Sequence, residues 1–168
     1  MLKQVFGFAG YSGSGKTTLI EQLIPRFVHA GLKVSLIKHA HHEFDIDKPG
    51  KDSHRHREAG AMEVMITSER RWALMHELRG ASEPGLEEQL TRLSPCDLVL
   101  VEGYKRSAIP KLEIHRPGLG QDLLAPHDAN IVAVAADGMV DTPLPVLDLN
   151  HPESIAEFIM AHLQLRPR

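Results

Sequence analysis

A glycine-rich octapeptide near the amino terminus has the residue types that bind phosphate. Residues 10–17 read GYSGSGKT and fit the pattern G-x-x-x-x-G-K-S/T. Glycine reaches backbone conformations closed to other residues, so successive N–H groups can turn towards phosphate oxygens. The pattern predicts that Lys16 contacts the β- and γ-phosphates of a nucleoside triphosphate and that the Thr17 hydroxyl coordinates Mg²⁺. The alternative is a glycine-rich turn without a ligand.

An acidic residue at the end of an apolar run is the second candidate. Residues 97–103 read DLVLVEG, as expected for a buried parallel strand. Glu102 falls at the carboxyl end of that strand, where open α/β sheets bind their ligands. We expect Glu102 to hold Mg²⁺, directly or through water, and to serve with Lys16 in any catalysis, whereas Asp97 is structural. The alternative is that Glu102 only caps the next turn.

A loop rich in histidine and aspartate follows the second predicted strand. Its residues are His39, His41, His42, Asp45, Asp47 and Asp52. Imidazoles and carboxylates together can bind a transition metal. They can also contact the γ-phosphate as a switch segment does, or form a solvated polar loop. The spacing alone leaves all three interpretations open.

The elements that position these residues follow from hydrophobic periodicity. An apolar strand precedes residues 10–17, and an amphipathic helix begins near Lys16. Alternating segments at 63–67 and 72–77 predict a β-hairpin. We therefore predict one domain over residues 1–168, with the α/β P-loop NTPase fold. Its mostly parallel β-sheet is flanked by helices and carries a β-hairpin extension.

Composition excludes several classes of function. A net charge of -3 without a run of Lys or Arg argues against nucleic-acid binding. No apolar stretch approaches the length of about 18 residues that a membrane span needs. The amino terminus lacks the pattern of a signal peptide, and the single Cys96 fits a reducing compartment, so we expect a cytoplasmic protein.

Several segments, in order along the chain, resemble the molybdopterin-guanine dinucleotide biosynthesis adapter proteins, the MobB family. They are GYSGSGKTTL at 10–19, IKHAHHEFDIDKPGKDS at 37–53, RWAL at 71–74 and LVLVEGYK at 98–105. The histidine loop is the distinctive part, since the phosphate motif occurs in many families. With the strands between these segments, the resemblance covers nearly the whole chain.

The resemblance implies a dimeric GTP-binding adaptor, at most a slow GTPase, that uses Mg²⁺ and assists the molybdopterin guanylyltransferase. It places phosphate on residues 13–18, metal on Glu102 and the loop 39–52 near the nucleotide. The predicted nucleotide-binding residues are Gly10, Ser12, Gly13, Ser14, Gly15, Lys16, Thr17, Thr18, His39, His41, His42, Asp45, Asp47, Asp52 and Asp137. The competing hypotheses are a small-molecule kinase and a metal-delivery GTPase that uses the three histidines of the loop.

The basis of a preference for guanine is a separate question. The chain has no N-K-x-D segment, which reads guanine in ordinary GTPases. Asp137 follows the predicted strand Ile131–Ala135 closely and can accept from the N1 and N2 donors of guanine. The alternative is an ordinary turn residue.

Overall fold

The computed structural model describes residues 3–40 and 44–167. The chain forms two compact units, one of Met1–His39 with Leu86–Arg168 and the other of Ala40–Gly85. The first, the larger unit, carries the glycine-rich octapeptide, and the second, the smaller unit, carries most of the histidine and aspartate loop. The single domain over residues 1–168 stays a prediction.

The larger unit is built on a six-stranded sheet. Its strands are β1 (Gln4–Ala9), β2 (Val34–Lys38), β5 (Leu98–Glu102), β6 (Lys111–His115), β7 (Ile131–Ala136) and β8 (Val146–Asp148). Their order across the sheet is β2-β5-β1-β6-β7-β8, and neighbouring strands pair in parallel throughout. The predicted parallel sheet is therefore confirmed.

Helices cover this sheet, and side-chain alternation along the strands gives it two apolar faces. The helices of this unit are α1 (Lys16–His29), α3 (Leu86–Arg92) and α4 (Pro152–His162). Leu98 and Leu100 of β5 pack into the main core with the buried sides of α1 and α4. Val99 and Val101, which point the other way, pack with Leu86 of α3. The burial of β5 on both faces explains its continuous apolar sequence.

The order of the sheet brings the carboxyl ends of β5, β1 and β6 side by side. In parallel sheets these ends lie at one edge, so the segments that follow them share one surface. At the opposite, amino-terminal end of the strands, the Asp97 carboxylate accepts a 2.8 Å hydrogen bond from the Lys33 N–H. This contact agrees with the structural role predicted for Asp97.

The smaller unit contains the predicted hairpin. Strands β3 (Glu63–Thr67) and β4 (Trp72–His76) pair antiparallel and form a two-stranded sheet. At the turn, the Ser68 N–H donates to the Arg71 carbonyl at 2.9 Å. One short helix, α2 (Asp52–Glu58), precedes the hairpin. Within the described residues of the whole chain, no helix combines the length and apolarity that crossing a membrane requires.

Candidate functional site

Residues 10–17, the phosphate loop, connect the end of β1 to the start of α1. Gly10, Gly13 and Gly15 all have positive φ angles, of 146°, 79° and 96°. A Cβ atom at Gly10 would lie 2.7 Å from the Ile114 carbonyl oxygen and 2.8 Å from the Ser14 Oγ. Gly10 is therefore required for close packing against β6, and the other glycines for backbone conformation.

The first turn of α1 faces the loop without a side-chain cap. Gly15 is its N-cap residue and makes no side-chain hydrogen bond to the helix. Uncapped N–H groups and the helix dipole together favour an anion at this end of a helix. Thr17 and Thr18 are exposed there, while Ser14 is buried. The local backbone thus has the form that the sequence motif predicts.

Lys16 folds back over the loop that precedes it. Its ammonium donates to the carbonyl oxygens of Gly10, at 3.0 Å, and Tyr11, at 2.7 Å. Burial lowers the pKa of Lys16, and Lys105 and Lys38 lower it further, although Glu102 opposes the shift. A bound polyanion would favour the charged ammonium and so reverse these effects.

Glu102 meets the phosphate loop as predicted from the end of β5. Its Oε1 accepts a 2.9 Å hydrogen bond from the Thr17 hydroxyl, and its Oε2 lies 3.6 Å from the Lys38 ammonium. The carboxylate is buried, whereas Lys38 is exposed. A hydroxyl and a carboxylate are the hard oxygen ligands that Mg²⁺ accepts, so these two residues fit the predicted metal role.

The segment after Glu102 returns to the same surface. The His39 N–H donates to the Glu102 carbonyl at 2.8 Å, and the His39 ring lies 5.1 Å from that of Tyr104. The Lys105 ammonium lies 6.0 Å from the centre of the Tyr11 ring. His39, the first residue of the predicted histidine loop, therefore lies beside the metal-binding candidate.

Arg116 joins the site although sequence reasoning assigned it no role here. Its Nε donates to the Ser14 carbonyl at 3.0 Å, and its Nη1 forms an ion pair with Asp137. A Cβ atom at Gly15 would lie 3.2 Å from its Nη2. Arg116 follows β6, the neighbour of β1, and only the strand order reveals that this position adjoins the phosphate loop. The structure thus connects Asp137, a predicted guanine-binding residue, to the loop.

The smaller unit gives the aspartates of the histidine and aspartate loop an internal partner. Arg57 contacts Asp45 at 2.7 Å, Asp47 at 2.9 Å and Glu77 at 3.3 Å. The hydrogen bond that Arg57 donates to Asp47 is the main cause that raises the pKa of Arg57. Asp52 begins α2 in an exposed position. These contacts give Asp45 and Asp47 a structural role, and a role for any of the three in nucleotide binding stays a prediction.

The remaining predictions for this loop concern histidine. His41 and His42 lie outside the described residues. Across residues 3–40 and 44–167, no group of three or more His, Cys, Asp or Glu side chains is arranged to hold a metal ion. The metal-delivery hypothesis stays untested, since it requires both histidines. The kinase hypothesis also stays untested.

Comparison with known proteins gives one consistent family. The model of the family described as MobB, molybdopterin guanine dinucleotide synthesis protein B, matches residues 5–137. The molybdopterin-guanine dinucleotide biosynthesis adapter protein of Escherichia coli (strain K12) is 41% identical to this chain. The match covers 95% of this chain and 93% of the E. coli protein. The protein of the same description from Haemophilus influenzae is 43% identical, over 92% of this chain and 86% of its own.

Solved structures agree with the sequence comparisons. A crystal structure of a MobB protein homolog from Bacillus stearothermophilus superposes with a TM-score of 0.71 at 27% identity, covering 96% of this chain and 99% of that one. A crystal structure of a molybdopterin-guanine biosynthesis protein B gives a TM-score of 0.74 at 27% identity, with 94% and 99% coverage. The architecture described above is therefore shared with these proteins over almost their full length.

Proposed function

This chain belongs to the MobB family, and from that premise we propose that it is an adaptor in molybdopterin guanine dinucleotide biosynthesis that binds GTP with Mg²⁺. The adaptor role follows the description of relatives that match nearly its full length. The nucleotide is assigned to the phosphate loop of the larger unit. The partner we propose is the guanylyltransferase that attaches GMP to molybdopterin.

The contact between the Thr17 hydroxyl and the Glu102 carboxylate, at 2.9 Å, carries the assignment of nucleotide and metal. It joins the first turn of α1, where phosphate would bind, to the strand end that supplies a metal-binding carboxylate. A glycine-rich turn without a ligand would not require a buried carboxylate beside it. Thr17 and Glu102 would hold Mg²⁺, which when bound supplies positive charge to the β- and γ-phosphates.

The charges around the loop favour a polyanion despite the net negative charge of the chain. Lys16 lies within the loop, and Lys38 and Lys105 are close enough to affect its pKa. Arg116 binds the Ser14 carbonyl from the side of β6. These four cations outnumber the two carboxylates beside them, Glu102 and Asp137, so phosphate binding does not require an extended basic surface.

We expect hydrolysis to be slow, with a turnover of about 10⁻⁴ to 10⁻² s⁻¹. P-loop proteins reach higher rates when an added arginine stabilises the charge that develops on the γ-phosphate. Arg116 is already engaged by Ser14 and Asp137. Lys16 would stabilise that charge from within the loop, and Glu102 would hold the metal. Unaided turnover at tens per second would contradict an adaptor role.

The test of this function is titration of the protein with GTP, ATP and GDP, with and without Mg²⁺. An ammonium has three donors, and Lys16 gives two of them to the loop carbonyls. The third donor and the positive charge should contribute about 3 to 5 kcal/mol to binding of a triphosphate. Lys16→Ala should therefore weaken GTP binding by roughly 100- to 4,000-fold.

The matched control for this experiment is Lys33→Ala. Lys33 is exposed at the amino end of the sheet, away from the loop, so its removal changes the net charge equally. We expect an affinity within about twofold of the unmodified protein, as for an ordinary surface substitution. Equal affinities of Lys16→Ala and Lys33→Ala for GTP would refute the assignment of the phosphate loop.

We also propose that the protein is a homodimer formed through the hairpin of the smaller unit. A two-stranded sheet leaves strand edges unpaired, and it is rarely stable alone. The exposed apolar side chains on the hairpin and directly before it include Met62, Met65, Ile66, Trp72 and Leu74. A second hairpin would supply both the missing strand edge and apolar surface. We expect this complex to act in the cytoplasm.

Light scattering over a range of concentrations tests the dimer. Trp72 is 65% exposed, and Trp72→Ser should shift the equilibrium towards monomer. Val28→Ser, which removes an exposed apolar side chain from α1 instead, should leave the dimer intact. A monomer at every concentration of the unmodified protein, or equal effects of the two substitutions, would exclude this interface.

A further inference from the structure

Metal-binding residues lie on one side of the phosphate loop, and an arginine–aspartate pair lies on the other. Strand β1, which leads into the loop, lies between β5 and β6. Glu102 ends β5 and contacts Thr17 on the metal side. If the terminal phosphates face β5, the nucleoside extends over the carboxyl ends of β6 and β7. This reasoning rests on the proposed binding of GTP.

Arg116 and Asp137 occupy those strand ends. Arg116 follows β6, Asp137 follows β7, and the two side chains form an ion pair. Adjacent strands are about 4.8 Å apart, so β7 lies roughly 10 Å from β1. A ribose and a purine span that distance from a phosphate at the loop. The pair is 37% and 29% exposed, which leaves it accessible to a ligand.

The donors and acceptors of this pair match the edge of a guanine. Guanine presents an acceptor at O6 and donors at N1 and N2. Each carboxylate oxygen can accept more than one hydrogen bond, and the contact of Asp137 with Arg116 is through Oδ2. Arg116 has five N–H donors and gives one, from Nε, to Ser14 and another to Asp137. The pair therefore has capacity to donate to O6 and to accept from N1 and N2.

Apolar side chains follow each member of the pair. Leu119, three residues after Arg116, is 47% exposed, and Met139, two residues after Asp137, is 99% exposed. Sites for small molecules commonly combine apolar surface with a few polar groups that fix orientation. Met139 and Leu119 can supply such surface to the faces of a purine.

We propose that Arg116 and Asp137 together read the base of the bound nucleotide, with Asp137 accepting from N1 and N2 of guanine and Arg116 donating to O6. This arrangement replaces the missing N-K-x-D segment with residues from two separate strand ends. It also couples the base to the phosphate loop, because Arg116 binds the Ser14 carbonyl as well. Adenine, which has a donor in place of O6 and no group on its C2, satisfies neither residue.

The test compares triphosphates that differ only in the base: GTP, ITP, XTP and ATP, each titrated with Mg²⁺. Because the phosphates are identical, ratios of affinity report the base alone. Asp137→Asn replaces an acceptor oxygen by an amide that can donate to the O2 of xanthine. It should weaken GTP binding by about 10- to 100-fold, strengthen XTP binding and so reverse their order. The advantage of GTP over ITP, which lacks the N2 amine, should be lost.

Two further variants complete the design. Asp141→Asn removes an exposed carboxylate from the same loop and should leave every ratio unchanged. Arg116→Lys keeps the charge but not the planar fork, and it should reduce the preference for GTP over ATP about tenfold. Thermal melting without nucleotide establishes that each variant is folded. If Asp137→Asn does not fold, the GTP-to-ATP ratio of Arg116→Lys decides the result.

An unchanged ratio of GTP to XTP affinity in folded Asp137→Asn would overturn the inference. If Lys16→Ala loses GTP binding while that ratio stays unchanged in Asp137→Asn, the proposed function stands and only the base-reading role is removed. If the unmodified protein binds no triphosphate, or binds all four equally, the inference fails as well. Reversal of the order of GTP and XTP by Asp137→Asn, but not by Asp141→Asn, would support it.

Discussion

A buried ion pair beside the site gives the sharpest prediction about stability. Lys111 of β6 is 2% exposed, and its ammonium lies 2.7 Å from Asp128. It also donates to the carbonyl oxygens of Lys105, at 2.9 Å, and Ser107, at 2.8 Å. These contacts use all three donors of the ammonium. They also anchor the backbone of Lys105, whose side chain affects the pKa of Lys16.

Asp128→Asn keeps an oxygen at this position but removes the negative charge. The ammonium of Lys111 would then be buried without a counter-charge, which typically costs about 3 to 5 kcal/mol.

The substitution should therefore reduce the free energy of unfolding by about 3 to 5 kcal/mol at pH 7. Urea denaturation at about pH 7 measures this difference. Asp122→Asn is the matched control, since Asp122 is an exposed acid in the same connection between β6 and β7. Lys111→Met combined with Asp128→Asn should recover part of the loss.

A free energy of unfolding for Asp128→Asn within about 0.5 kcal/mol of the unmodified protein at pH 7, as for a surface position, would refute this prediction. That result would mean that the ammonium is solvated despite its burial.

The other predictions concern the metal, the loop and acid. Glu102→Gln should weaken the binding of Mg²⁺ to the GTP-bound protein by about 10- to 100-fold. Titration with Mg²⁺ at a fixed GTP concentration measures this affinity. Gly10→Ala should lower the free energy of unfolding, measured in urea, more than Gly13→Ala does. A Cβ atom at Gly10 would lie 2.7 Å from a backbone oxygen. A Cβ atom at Gly13 would meet nothing within 4 Å, so that substitution costs only about 1 to 2 kcal/mol of backbone strain. Burial would raise the pKa of Asp128, but hydrogen bonds from Lys111 and Asn130 lower it below 3.8. The stability that the ionised Asp128 gives the folded protein is therefore present above that pH and lost as pH falls through the lowered pKa. The difference in unfolding free energy between the unmodified protein and Asp128→Asn should accordingly shrink below about pH 4.

Local sequence was sufficient to predict the elements whose patterns lie within a few consecutive residues. The hairpin was predicted at 63–67 and 72–77 and is observed as Glu63–Thr67 and Trp72–His76. Alternation of side chains and a polar turn are both contained within a few residues, so no distant contact is needed to recognise them. The same holds for β5, whose continuous apolar run indicates burial on both faces.

Other parts of the site depend on contacts that no local pattern contains. The ion pair of Arg116 and Asp137 joins residues 21 positions apart, and Arg116 reaches Ser14 across 102 positions. The Arg57 contacts with Asp45 and Asp47 also form only when the smaller unit folds. A charged side chain has the same appearance in sequence whether it binds a ligand or another side chain.

A phosphate loop can be predicted from consecutive residues alone, because glycine conformations, a helix start and a lysine at fixed spacing are local properties. The same local pattern points to Glu102 as the candidate at the end of a buried strand. Which strand ends adjoin that loop is visible only in the folded chain, since strand order depends on pairing between distant segments. That order brings Thr17 to Glu102 on one side and Arg116 to Ser14 on the other.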